Sequence, residues 1–156
     1  MYTPKFQFLL KIEQFSTDET ICLGKQLAQI IKYAGEILEP HFWYGGNIFS
    51  LSKNSKQDSF NLFLIGDDNN LLKICDEVEQ FLSGVLFAVK KEFLQQDIRC
   101  LSVDTEDVQY RELKIDGILI EIRMFDTSFF AIYSESEAII KELAKKFNIE
   151  SIKQKS

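Results

Sequence analysis

The sequence has few of the residues on which enzyme active sites and metal centres depend. Its 156 residues include one histidine, one tryptophan, two prolines and three cysteines. It contains no HExxH or GxSxG motif and no phosphate-cradling glycine loop. The single histidine, His41, has no acid, serine or cysteine partner at a characteristic spacing. The sequence therefore favours a non-enzymatic protein that uses no cofactor and no metal.

The cysteines are far apart in the chain and odd in number. Cys22, Cys75 and Cys100 have apolar neighbours, which predicts reduced thiols in the core rather than a disulfide framework. No apolar run approaches the roughly 18–20 residues that cross a bilayer, and the first residues lack the pattern of a secretion signal. We therefore expect a cytoplasmic protein that does not insert into a membrane.

Negative charge predominates. Eighteen basic residues against 24 acidic ones give a net charge of −6, which disfavours direct binding to the phosphates of nucleic acids. Residues 97–126 hold eight acidic and four basic residues, a local net charge of −4. Such a patch can attract a basic partner, although solvated turns on an acidic protein give the same pattern. The candidate partner-binding residues in this stretch are Asp104, Glu106, Asp107 and Glu112.

The clearest structural pattern occupies residues 112–147. Asp116 and Gly117 form the residue pair typical of a two-residue hairpin turn. Apolar residues then alternate along residues 118–124 and must share one face of a strand. Glu121 and Arg123 lie on the opposite face, which we expect to be partly exposed to water. A further apolar strand and a capped amphipathic helix follow.

Strand patterns cluster along the chain rather than alternating with helices. This order predicts an α+β fold, with an antiparallel or mixed sheet of about six to seven strands and three helices packed on it. Residues 1–149 are expected to form a single domain, and residues 150–156 a frayed tail. Further predicted strands cover residues 6–15, 60–65 and 98–103, and two of the helices cover residues 16–35 and 134–147.

The pattern of the remaining helix fits two structures. Apolar residues recur every three or four positions over residues 69–94, which predicts one long helix. Gly84 weakens that helix, because glycine costs about 1 kcal/mol relative to alanine in a helix interior. The alternative is a helix that ends near Leu82, followed by a strand over residues 85–89. We adopt the long helix as the prediction.

Residues 41–52 combine the histidine and the tryptophan with a pair of glycines. Two aromatic or β-branched runs flank the glycines, so the pattern predicts a hairpin or a tight aromatic loop. Trp43 and Tyr44 are candidate anchors for a partner, since these residue types carry much of the binding energy at protein interfaces. The other interpretation is an aromatic hairpin packed into the core. His41 and Trp43 are also candidate walls of a small-ligand or catalytic pocket.

Two stretches, ILEPHFWYGGN over residues 37–47 and DTSFFAIYS over residues 126–134, resemble segments of small bacterial proteins. The size, acidity and strand-rich α+β build of the chain are similar to those of immunity proteins, which neutralise bacterial toxins. The matching motifs are structural and identify no catalytic or binding residue. The resemblance implies a protein that acts by binding another protein.

These observations predict a non-enzymatic protein-binding module of the toxin-immunity type, with a basic partner such as a toxin domain. One alternative is a small-ligand-binding or enzymatic domain with a pocket around His41 and Trp43. A third possibility is a structural subunit that self-associates through a sheet edge.

Overall fold

Antiparallel strands form one sheet, and three helices pack against one of its faces. The structure is a computed structural model that describes residues 8–15, 20–52, 57–59, 63–93, 116–125, 127–149 and 153–154. The helices are α1 (Gly24–Ile37), α2 (Asp68–Glu77) and α3 (Glu137–Lys146), and Lys91–Phe93 form a 3-10 turn. The strands are β1 (Phe8–Ile12), β2 (His41–Ser52), β3 (Gln57–Ser59), β4 (Phe63–Gly66), β5 (Val78–Lys90), β6 (Ile118–Phe125), β7 (Phe129–Ser134) and β8 (Lys153–Gln154).

The strand order in the sheet is β3-β2-β5-β6-β7-β1-β8, and β4 pairs with β2 beside β3. Every pairing between these strands is antiparallel. Six of the strands have four or more residues, so the α+β prediction with about six to seven strands and three helices is confirmed. Lys153 and Gln154, within the predicted frayed tail, pair with Leu9 and Phe8 of β1.

The main core lies between the helices and the sheet. The helix predicted over residues 16–35 corresponds to α1, which begins only at Gly24, and its Leu27, Ile30, Ile31 and Ala34 are fully buried. Ile140, Leu143 and Ala144 of α3 also face the core, and the side chain of Ser136 caps this helix by accepting from the N–H of Ile139. Helical periodicity thus identified the buried faces of both helices, because burial of an apolar stripe is what holds such helices in place.

The prediction of one long helix over residues 69–94 is wrong. Helix α2 ends at Glu77 and β5 begins at Val78, so the strand of the alternative interpretation exists but starts earlier. β5 lies between β2 and β6, and residues 85–89 are buried on both faces of the sheet. Gly84 fits this position because a Cβ there would lie 2.6 Å from Cε of Met124. A strand apolar on both faces produces apolar residues at helical spacings by coincidence.

The hairpin or loop predicted around Gly45 and Gly46 is also wrong. β2 passes through both glycines as one strand of twelve residues and pairs with β5 on either side of them. The register shifts after Gly46, and Asn47 has a positive φ of 49°. A bulge absorbs the irregularity, so the glycines mark a distortion of a long strand rather than its end.

Glu121 and Arg123 are fully buried, and the expectation of a wet surface around them is wrong. They lie on the sheet face opposite the helices. Nε of Arg123 donates to Oε2 of Glu121 at 3.1 Å, and the guanidinium lies 6.0 Å from the centre of the Tyr133 ring. An ion pair with a hydrogen bond is the arrangement in which two opposite charges can be buried together.

Turns flank β6 on both sides, and the sequence predicts the one at Gly117. Gly117 has the positive φ, 76°, that its predicted turn requires, but the strand expected before it lies outside the described residues. After β6, Thr127 adopts a φ of 59° and the N–H of Ser128 donates to the carbonyl of Phe125 at 2.7 Å. This turn joins β6 to β7.

Candidate functional site

The predicted partner-binding residues fall into two groups. Asp104, Glu106, Asp107 and Glu112 lie outside the described residues. Trp43 and Tyr44 lie on β2 and are buried, with exposures of 0% and 3%. Burial also raises the pKa of the Tyr44 hydroxyl. Both rings are therefore packed inside the fold, as in the interpretation of this segment as core.

The side chain of His41, at the start of β2, contacts two oxygen acceptors. Its Nδ1 lies 2.7 Å from the carbonyl oxygen of Glu39, and its Nε2 lies 2.8 Å from Oδ1 of Asp68. Nε1 of Trp43 donates to the same Asp68 oxygen at 2.6 Å. The His41 side chain is only 7% exposed. We call His41, Trp43 and Asp68 the histidine cluster.

Local structure explains why these three side chains meet. His41 and Trp43 are two positions apart on a strand and share the face toward the helices. Asp68 occupies the first turn of α2, where the positive end of the helix dipole favours a carboxylate. The side chain of Asp67 caps the helix by accepting from the N–H of Asn70 at 3.0 Å. Gly35 of α1 leaves room nearby, because a Cβ there would lie 2.7 Å from Oδ2 of Asp68.

Both ring nitrogens of His41 contact protein oxygens, so the histidine cluster ties separate segments of the chain together. The contacts join the end of α1, the start of β2 and the start of α2. His41 contacts the carboxylate of Asp68, a partner that a catalytic histidine would also need. Trp43, the other predicted wall of the pocket, is fully buried. Across the described parts of the chain, no three His, Cys, Asp or Glu side chains are grouped to hold a metal.

Replacing Asp68 with alanine should lower the free energy of unfolding by about 2 kcal/mol, since Trp43 and His41 would each lose an acceptor in a largely buried place. Urea unfolding followed by fluorescence of the single tryptophan measures this change. Asp76 lies exposed on the same helix, so Asp76→Ala is a matched control that should change stability by less than about 0.5 kcal/mol. Equal stabilities for the two variants would contradict the structural role of the cluster.

A groove of about 540 Å³ lies between α1 and α2, a size within the range of ligand pockets. Its floor is apolar and its rims are charged. The rim of α1 carries Lys25 and Lys32, and the opposite rim carries Asp76 of α2 and Glu79 of β5. The apolar residues that line it are Leu23, Ala28, Leu72, Cys75 and Val78.

Acidic side chains are dense beside this groove. Residues 67–79 hold five acidic residues and one lysine, a local net charge of −4 within 13 residues. We call the exposed acidic residues Asp76, Glu77 and Glu79 the α2 acidic surface. A charge count over short windows would have found this stretch. The contact between His41 and Asp68, 27 residues apart, has no comparable local signal.

Cys22 and Cys75 are buried free thiols, in agreement with the prediction of reduced core cysteines. Burial raises the pKa of Cys22 to about 11 and that of Cys75 to about 12. The Cys22 thiol also donates to the carbonyl of Phe129 at 3.5 Å. Both side chains therefore remain protonated at neutral pH.

Alkylation of these two thiols at pH 8 should be at least about 100-fold slower in the folded protein than in urea, because only the thiolate reacts. The effect weakens as the pH approaches 11, where Cys22 begins to ionise in the folded state. Mass spectrometry of iodoacetamide-treated protein measures the rate at each cysteine separately. Rapid modification of Cys75 without unfolding would contradict its burial.

No protein-family model matches the chain, and neither a curated protein nor a solved structure matches it. Within the described ranges, no helix has the length and apolar character needed to cross a membrane.

Proposed function

We propose that this chain is a non-enzymatic protein-binding module of the toxin-immunity type, which binds a basic partner through acidic surface residues. The observation that supports this proposal best is the α2 acidic surface. Its side chains are exposed and project from the end of α2 and the start of β5, which are held against the core by Leu71, Cys75 and Val78. A surface fixed in this way loses little conformational entropy when a partner binds.

The charge of the chain indicates the chemistry of the partner. Acidic side chains attract a basic protein over distances of about 10 Å at 0.1 M salt, which speeds association and rejects acidic competitors. Asp104, Glu106, Asp107 and Glu112 extend the same character to a second stretch of sequence. A basic toxin domain in the cytoplasm fits this chemistry, and direct binding to nucleic acid does not.

The proposal is tested by calorimetry with the toxin domain encoded beside the gene for this chain. We expect binding that weakens as salt is raised. Changing Asp76, Glu77 and Glu79 together to alanine should weaken binding by about tenfold, as should the same change at Asp104, Glu106 and Asp107.

A matched control removes three exposed acidic residues at other places on the surface, namely Glu92, Glu135 and Glu142. This triple variant has the same net charge as each test variant and should bind within about twofold of the unchanged protein. Binding that is insensitive to salt, or that falls equally in all three variants, would refute the acidic-surface mechanism.

A further inference from the structure

The groove between α1 and α2 has a row of lysines and an apolar floor that neither the histidine cluster nor the α2 acidic surface explains. Lys25, Ala28 and Lys32 follow one another at spacings of three and four residues and form one row along α1. Leu72 and Asp76 form a similar row along α2. The groove is therefore bordered by two rows of helical side chains.

The floor of the groove is incompletely covered. Ala28 and Leu72 pack on the main core but remain partly exposed, while Cys75 and Val78 beneath them are buried. The short side chain of Ala28 leaves a gap between the two lysines of its row. An apolar side chain from another molecule would fill this gap and remove the apolar surface from water.

The two rims have opposite charges. Lys25 and Lys32 are exposed on α1, and Asp76 and Glu79 are exposed across the groove. A binding segment is therefore complementary when it carries acidic residues on one flank and basic residues on the other. Exchanging these flanks places like charges together, so the rims also fix the direction of the segment.

The walls also determine the conformation of the segment. The backbone groups of both helices bond within their own helix, so an extended peptide would find no strand edge to pair with along these two walls. A helix satisfies its own backbone and presents rows of side chains at spacings that match those of the walls. Lys25 and Lys32 are seven residues apart, about 10.5 Å along α1, so the contact covers about two helical turns.

We propose that this groove binds an amphipathic α-helix of a protein partner, with its apolar stripe on Ala28 and Leu72, acidic residues beside α1 and basic residues beside α2. This inference rests on the proposed function only in requiring that the partner is a protein. It assigns to that partner a helix that carries acidic residues on one flank and basic residues on the other. An acidic surface alone would favour basic residues on both flanks.

A displayed library of amphipathic helices tests the inference without the natural partner. Each helix has about 18 residues, a leucine stripe, and flanks that are randomised among Glu, Lys and Gln. Selection on the full chain should enrich helices with Glu on one flank and Lys on the other. Selection on the double variant Lys25→Glu, Lys32→Glu, whose rims are both acidic, should enrich Lys on both flanks.

Ala28→Phe fills the floor of the groove and should weaken binding of the selected helices by at least about tenfold. Ala138→Phe is the matched control, because it adds the same ring at an exposed position of α3 and should leave the binding unchanged. Circular dichroism and unfolding curves establish that both variants are folded.

Three results would overturn the inference: a library without binders, enrichment without a flank preference, or equal binding by the Ala28→Phe and Ala138→Phe proteins. The outcome is distinguishable from failure of the proposed function. The distinguishing result is a toxin domain that binds the Ala28→Phe protein normally but fails to bind the variants of the acidic residues. That result would refute helix binding in the groove and leave the acidic-surface mechanism in place.

Discussion

Replacing Glu121 with leucine should lower the free energy of unfolding by about 3–5 kcal/mol, because the charge of Arg123 would remain buried without the carboxylate that it contacts. Both side chains are completely inaccessible to water. Urea unfolding monitored by tryptophan fluorescence and by circular dichroism measures the loss.

The double variant Glu121→Leu, Arg123→Met separates the value of the pair from the cost of breaking it. Removing both charges should restore most of the stability lost in the single variants, since buried ion pairs are often no more stabilising than apolar residues of similar size. Losses that simply add in the double variant would mean that the two side chains act independently. That result would contradict the pairing as the reason for their burial.

Replacing Gly24 with alanine should destabilise the protein by about 3 kcal/mol or more. A Cβ at this position would lie 2.1 Å from the carbonyl oxygen of Val78 and 2.3 Å from that of Cys75. Both are backbone atoms at the junction of α2 and β5, so no side chain can rotate to make room. The gain of about 1 kcal/mol that alanine usually brings to a helix is smaller than this steric cost.

Gly35→Ala provides the matched control in the same helix. Its Cβ would approach Oδ2 of Asp68 at 2.7 Å, which is a side-chain atom rather than backbone, although His41 and Trp43 contact the same carboxylate. We expect a loss smaller than that of Gly24→Ala and no larger than the loss of about 2 kcal/mol expected for Asp68→Ala. Thermal unfolding of the two variants compares them directly, and a Gly24→Ala protein as stable as Gly35→Ala would show that α1 and α2 are not in close contact there.

The prediction for Gly24 concerns a place where parts of the chain far apart in sequence meet. Gly24 lets the start of α1 approach the end of α2, and this approach brings together the two helices that border the groove. A stability defect in Gly24→Ala should therefore be accompanied by loss of the helix binding inferred for that groove. If the destabilised Gly24→Ala protein still bound the helices, the close approach of α1 to α2 at Gly24 would not be needed for binding in the groove.

The local sequence determined those elements whose burial follows from their own periodicity. The apolar faces of α1 and α3 and the alternation along β6 were predictable, because residues three or four apart on a helix, or two apart on a strand, share a side whatever the rest of the chain does. Composition likewise predicted the reduced thiols of Cys22 and Cys75, since apolar neighbours accompany burial.

The tertiary structure decided the rest. Residues 78–90 form a central strand because β2 and β6 pair with them on both edges, and neither partner is visible in the local pattern. Glu121 and Arg123 resemble exposed residues in the sequence, yet they are buried together because each offsets the charge of the other. The contact of His41 with Asp68 and the groove between α1 and α2 likewise join segments distant in sequence. Local spacing fixes which residues share a face, whereas the packing of distant segments fixes what that face meets.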